Sequence, residues 1–477
     1  FPYTTLFRSH SYKFIKIKLL LGGNKKMMDK ISAALEKYLM PVASFIGGQK
    51  HLIAIRDGFI TSLTVSMTGA LASMMNNVFF NETSFVGQYL NKIDAYHESV
   101  QPILQKYAIP VMGDIWFGTS AILSIFILLG VAYSLAKSNE MDGIGAALIA
   151  LASWFTIFPQ TAMGVFSKAE DGTFTEGAWG LMPVGQLGSN AMFSAMLVGL
   201  VAAQLFVTFT KKGWVIKMPE QVPPAVSKAF AAVVPGGLTL VIFGIIAEIF
   251  AQAVKTPFVD WMLEVVQKPM MALGQSPFTY IFLIFIAQLL WFCGLHGSNM
   301  VDPALNTMYK TALLDNVNAV AQGKEPIYAL TRNFVDVYAQ PGGSGCTLAL
   351  IIAIFIFSKR QEAKELAKIA IAPGIFQINE PVIFGLPIVL NATYFVPFII
   401  TPPICLAIAW VFTEKIKFAN YLCVELPWTT PPIISAFFGT AGDFKAAILA
   451  AALLVLSVVI WTPFVIAANR MGDSEQA

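Results

Sequence analysis

Asn379-Glu380-Pro381-Val382-Ile383-Phe384-Gly385-Leu386-Pro387 opens a run that meets no further charged residue until Glu414. A helix needs about 20 apolar residues to cross the hydrocarbon core of a bilayer. Residues 381–413 exceed that length, but Pro, Gly and Asn interrupt them, and a carboxylate stands at their mouth. Non-helical backbone at membrane depth survives only inside protein or beside a water-filled cavity. The stretch therefore reads as a broken segment lining a cavity, not as a plain span.

The rest of the chain fits that environment. Of its 477 residues, 56% are hydrophobic and only 12% charged, with a net charge of +3. Soluble globular domains carry about 25% charged residues. This composition excludes a disordered chain, a collagen-like fibre, a nucleic-acid binder and a disulfide scaffold. Charge-free stretches recur at 58–81, 115–136, 143–167, 177–210, 229–247, 278–295, 342–358, 381–413, 426–442 and 446–469. Together they predict an all-α polytopic membrane protein of about ten transmembrane helices. Many of these stretches hold Gly, Ser and Ala, which suit close helix packing in lipid.

Residues 31–49 and 256–274 have apolar and polar positions near helical spacing, and both predict amphipathic surface or linker helices. Lys30, Lys37, Lys50 and Arg56 flank the first span, so the positive-inside bias predicts a cytoplasmic N-terminus. Two more basic segments follow, one with Lys211, Lys212 and Lys217 and one with Lys359, Arg360, Lys364 and Lys368. Three apolar stretches separate these two, which breaks simple alternation; a re-entrant segment would repair the count. Spans before Lys255 are regular, whereas those from Phe278 onward are dense in Pro, Gly and polar residues. The expected division is a scaffold over 28–255, a linker helix over 256–277, a substrate half over 278–471 and a tail over 472–477. Residues 1–27 are expected to be a non-native leader. Pro2 to Ser9 can be written in the codons of a sequencing adapter, and Met27-Met28 follows a Gly22-Gly23 pair that a ribosome-binding site would encode.

Three constellations carry candidate chemistry. In Trp291-Phe292-Cys293-Gly294-Leu295-His296-Gly297-Ser298-Asn299 an apolar run ends abruptly. His296 and Asn299 supply donors and acceptors, and Gly297 permits close backbone approach. The bland alternative is a helix C-terminus capped by glycine. In the second, Glu380 is an ionisable group in apolar surroundings, which is a functional hypothesis by default. The alternative is an interhelical tie to a Lys or His. In the third, Glu425-Leu426-Pro427-Trp428-Thr429-Thr430-Pro431-Pro432, Trp428 offers either an apolar face to a pyranose ring or an interfacial anchor.

Pro341-Gly342-Gly343-Ser344-Gly345 lacks the Lys-Ser/Thr of a phosphate loop and reads as the start of a closely packed helix. Arg332-Asn333-Phe334-Val335-Asp336 reads as a cavity lining or a solvated loop. The four cysteines lie in or beside apolar runs with no metal spacing, so neither a metal nor a cofactor is expected. The sequons at Asn81 and Asn391 carry little weight.

The three constellations, in this order, resemble the sugar-translocating IIC subunit of the bacterial phosphotransferase system, in its lactose/cellobiose/diacetylchitobiose family. Tyr38-Leu39-Met40-Pro41-Val42-Ala43 and Ala54-Ile55-Arg56-Asp57-Gly58-Phe59 extend the similarity. The resemblance implies a homodimer built through the first five spans, and two re-entrant hairpins around an occluded sugar site in the second half. It implies that Glu380 stands near the sugar's reactive 6-hydroxyl, with His296 as its partner; these two are the candidate catalytic residues. Asn299 and Asn379 match polar positions around the sugar and Trp428 an aromatic ring beside it, with Trp291 and Gly297 as weaker matches. The implied partners are a β-linked disaccharide, the bilayer and a separate phosphocysteine protein, IIB, fed by IIA, HPr and enzyme I. Cellobiose is the first expectation, then diacetylchitobiose and lactose. The implied location is the bacterial inner membrane, multi-pass. A proton-coupled sugar symporter using Glu380 and His296 as a relay is the alternative. An intramembrane hydrolase has little support, because no HExxH motif is present.

Overall fold

The computed structural model describes residues 48–84, 86–158, 161–162, 178–179, 182–219, 221–386 and 388–473. The expected leader and most of the amphipathic helix over 31–49 lie outside the described residues. Where it is described, the protein is built almost wholly of helices, with one two-residue antiparallel pair, Thr161–Ala162 against Ala178–Trp179.

Among the described residues, seven helices are long and apolar enough to cross a membrane: Lys50–Phe80, Asp94–Lys137, Ser189–Lys211, Pro224–Val254, Arg332–Phe357, Thr393–Lys415 and Phe444–Asn469. An eighth candidate is the pair Phe258–Gly274 and Pro277–Phe292, which bends by 74° at its break. Gly143–Ile157 is apolar but only 15 residues long. Of the predicted stretches, 426–442 forms no long helix. Pro427, Pro431 and Pro432 cannot donate backbone hydrogen bonds, and only the six-residue helix Ile434–Gly439 forms there.

Small residues set the packing of the first helix. Gly58, Ser62, Ser66, Gly69, Ala70 and Ser73 repeat at helical spacing and are all buried. They let a second helix approach closely, as a Cβ on Gly130 would lie 2.9 Å from the Gly58 Cα. Asp57 at the start of this face accepts a 2.9 Å hydrogen bond from Ser134 Oγ and pairs with Arg56 at 2.7 Å.

Two large hydrophobic clusters, with a smaller one around Cys423, Val424 and Leu426, organise the described residues. One joins residues from Ala54 to Met262 together with Leu314; the other runs from Tyr280 to Leu453. Phe258, Val259 and Met262 of the amphipathic segment belong to the first cluster, while Glu264 and Lys268 form an exposed pair. Gln267 is buried there and bonds to Ser189 O at 3.0 Å, so this segment docks on the first half. The Pro224–Val254 helix is the least covered, with Val233, Val241, Ile245 and Ile249 exposed, as suits a face that meets lipid or another chain.

The second half departs from straight helices at three places. The helix Pro277–Phe292 stops at Gly294 and folds back into Gly297–Leu305. Arg332–Phe357 is interrupted at 340–346, where Gly342, Gly343, Gly345 and Cys346 all have positive φ. Gln361–Ile375 turns at 376–379 into the short helix Glu380–Gly385, whose Gly385 lies against Leu366. These are the helix breaks expected from the uneven texture beyond Phe278.

Candidate sugar site

The first break is built by glycine. Gly294 has φ +83°, its N–H bonds to Trp291 O at 2.9 Å, and Leu295 N bonds to Leu290 O at 3.1 Å. This is the Schellman closure of a helix end, so the cap reading of this motif holds. His296 then starts the next helix as its N-cap, with Nδ1 accepting from Asn299 N at 3.2 Å. The chain can fold back so sharply because residue 297 is glycine: a Cβ there would sit 1.9 Å from Ala287 O.

The expected residues fall into one connected group and one neighbour. The Trp291 and His296 rings lie 4.3 Å apart at 45°. Trp291 is buried and its Nε1 donates to Ser298 Oγ at 3.1 Å. Ser298 Oγ shares a 3.2 Å hydrogen bond with Ser344 Oγ in the interrupted helix. Asn379, also buried, donates from Nδ2 to Ser344 O at 3.4 Å. The glycine-rich interruption thus joins the first two motifs. A Cβ on Gly343 would lie 2.7 Å from Gln377 O and 3.0 Å from Asn379 Cβ. These glycines do begin a closely packed helix, as read from sequence, and they also admit the Asn379 loop.

Glu380 follows Asn379 at the start of its short helix and is half-buried. Among the described residues no group hydrogen-bonds or ion-pairs with its carboxylate, so the interhelical tie considered from sequence is not formed. His296 and Asn299 are exposed. A carboxylate held in apolar surroundings without a partner is costly. Its two oxygens are free to accept hydroxyl protons in charge-assisted hydrogen bonds.

Trp428 is 48% exposed. No ring contact or hydrogen bond joins it to the other six residues among the described ones. Its loop is nonetheless tied to theirs: Gln377 Nε2 donates to Thr430 O at 2.9 Å and to Asp336 O at 3.1 Å. Thr430 N closes the turn onto Pro427 O at 2.9 Å.

Two buried charge groups were not anticipated as groups. Arg332 pairs with Asp302 at 3.2 Å and Asp336 at 3.0 Å. Its segment is therefore neither a solvated loop nor a bare cavity wall. Lys310 forms a buried ion pair with Glu425, whose carboxylate also accepts from Ser66 Oγ at 3.4 Å. The sequence signal for both groups is the rule that ionisable residues among apolar ones have a task. The four cysteines form no disulfide, and among the described residues no cluster of His, Cys, Asp or Glu is arranged to hold a metal. Asn391 caps the helix Ala392–Trp410 by accepting from Thr393 N at 3.0 Å, a structural task for that sequon residue.

Known proteins are similar to this chain in sequence and fold. The family model described as phosphotransferase system, EIIC matches residues 56–402, which include the first two motifs. The cellobiose-specific EIIC component of Lactococcus lactis subsp. lactis (strain IL1403) is 33% identical, covering 94% of this chain and 100% of its own. The oligo-beta-mannoside-specific EIIC component of Bacillus subtilis (strain 168) is 30% identical, over 94% and 97%. Among solved structures, the transporter ChbC, the IIC component from the N,N'-diacetylchitobiose-specific phosphotransferase system, superposes with a TM-score of 0.84. It is 28% identical, covering 93% of this chain and 99% of its own.

Proposed function

The chain belongs to the phosphotransferase system EIIC family, and within it we propose that this protein binds a β-linked disaccharide, carries it across the membrane and presents its 6-hydroxyl to a phosphorylated IIB partner. Cellobiose is the first candidate, in line with the relative from Lactococcus lactis, and diacetylchitobiose and lactose follow. The observation that carries the reading is the half-buried carboxylate of Glu380, without a partner among the described residues, at the tip of a broken helix. A neutral sugar supplies the hydroxyl donors this carboxylate lacks.

The residues take the following roles. Glu380 accepts hydrogen bonds from sugar hydroxyls, the 6-hydroxyl among them. When the phosphocysteine of IIB reaches the site, the 6-oxygen attacks phosphorus, the S–P bond breaks, and the thiolate leaves on IIB. Glu380 takes the hydroxyl proton as general base, and His296 steadies the charge that develops. Asn299 and Asn379 add hydrogen bonds to the sugar, Trp291 backs the His296 ring, and Trp428 lies against a pyranose face. The half over 28–255 serves as scaffold and homodimer interface, and the half over 278–471 holds and moves the sugar. A phosphorylated product is charged and does not return through an apolar route.

In this reading the N-terminus lies in the cytoplasm of a bacterial cell. Two long apolar helices, Pro224–Val254 and Arg332–Phe357, separate the basic segments around Lys211 and Lys359. With the 74° bent pair as a re-entrant segment, both basic segments face the same side.

Two experiments address this reading. In cells that keep this chain but lack the IIB partner, formation of disaccharide phosphate is expected to stop. Continued uptake abolished by an uncoupler would instead establish a symporter. Trp428→Ala is expected to weaken disaccharide binding about tenfold, since an aromatic face contributes on the order of 1 kcal/mol beyond its area. The unfolding midpoint should move little, because the ring is half exposed. Unchanged affinity in a binding assay would return Trp428 to the anchor reading.

A further inference from the structure

The segment 332–340 touches each of the three motif-bearing loops. Asn333 Nδ2 donates to Leu426 O at 2.7 Å, which fixes the loop that carries Trp428. The carbonyl of Asp336 accepts from Gln377 Nε2 at 3.1 Å, and Gln377 lies in the turn that leads to Asn379 and Glu380. Arg332 reaches the third element: NH2 donates to Asp302 Oδ1 at 3.2 Å and Nε to Asn306 Oδ1 at 3.2 Å. Asp302 sits on the helix Gly297–Leu305, which begins at His296 and carries Asn299. Arg332 NH1 closes the figure by donating to Asp336 Oδ2 at 3.0 Å, and Gln340 Nε2 donates to Asp336 Oδ1 at 3.3 Å.

From this convergence we infer that Arg332 is a positioning residue for the sugar site: it sets the His296 and Asn299 helix in register with the Glu380 turn and the Trp428 loop. The inference rests on the site assignment proposed above. The reasons are geometric and electrostatic. A planar guanidinium donates in several fixed directions at once, which a lysine ammonium cannot copy. Its three acceptors come from two elements, the Gly297–Leu305 helix with the turn that follows it and the interrupted helix. Asp336 is buried and Asp302 partly buried, and each has Arg332 as a counter-charge. A site on helix tips is only as well placed as the groups that hold those tips, and errors of about 1 Å can cost about a hundredfold.

The test compares full-length, detergent-solubilised wild type with Arg332→Lys, Asp302→Asn and their double variant, beside Glu380→Gln. Binding is read with whichever of radiolabelled cellobiose, diacetylchitobiose or lactose saturates the wild type, and thermal unfolding is read without sugar. Arg332→Lys and Asp302→Asn are each expected to raise the dissociation constant about ten- to hundredfold in folded protein. The double variant should be no weaker than the worse single one, because the two residues act as one unit. A merely structural role would lower the unfolding midpoint and leave the affinity of the folded fraction unchanged. Wild-type affinity in folded Arg332→Lys and Asp302→Asn, or multiplicative effects, would overturn the inference. Should Arg332→Lys fail to fold, Asp302→Asn, which is isosteric, decides alone. Wild-type binding by Glu380→Gln would instead bring down the site assignment itself.

Discussion

Glu380→Gln is expected to raise the dissociation constant for the disaccharide about a hundredfold or more, beyond detection in an ordinary radioligand assay. The half-buried carboxylate has no partner among the described residues, and in the proposed function a bound sugar is the group that satisfies it. A hydrogen bond to a charged acceptor is worth about 1.5–3 kcal/mol, and two such bonds amount to a hundredfold or more in affinity. The amide is uncharged and turns an NH2 toward hydroxyls that need an acceptor. The substitution removes no contact made by the sugar-free protein, so its fold and its size in detergent should be unchanged. Wild-type binding by Glu380→Gln would contradict the assignment.

Lys310→Met is expected to destabilise the protein by about 3–5 kcal/mol, the usual result of leaving one member of a buried ion pair alone. Glu425 is 6% exposed, and without Lys310 its side chain keeps only the 3.4 Å contact from Ser66 Oγ. Its second oxygen already has no hydrogen-bond partner. Adding Glu425→Gln removes the orphaned charge and should restore more than half of the loss. Unfolding in mixed micelles measures both variants. A loss below about 1 kcal/mol for Lys310→Met would show that the pair carries no stability, as for exposed pairs. The pair also joins three elements: Lys310 follows the Gly297–Leu305 helix, Glu425 precedes the Trp428 loop, and Ser66 belongs to the first helix of the other half. Its loss is therefore expected to weaken sugar binding as well as the fold.

Much of the architecture was legible because membrane proteins write it in long charge-free runs. The broken character of the second half was legible too, since Pro381, Gly385 and the cluster 341–345 cannot continue a straight helix. Glu380 stood out as a single ionisable residue in a long apolar neighbourhood. Three features were not legible. Residues 426–442 have the composition of a span but fold as a loop and one short helix, because composition cannot register how the prolines divide the run. The charge pairs were hidden by distance along the chain: Arg332 lies 30 residues from Asp302, and Lys310 lies 115 from Glu425. Each of those residues alone resembles a loop charge, and only packing brings them together. The role of Ser344 as the bridge between Ser298 and Asn379 was hidden in the same way.

Delivery of a disaccharide to a phosphocysteine donor is tested by uptake of labelled cellobiose into vesicles that contain the protein, with and without phosphorylated IIB inside. Accumulation of cellobiose phosphate only when phosphorylated IIB is present is the expected result. Accumulation of unmodified cellobiose without IIB, driven by a proton gradient, would contradict it and make the protein a symporter.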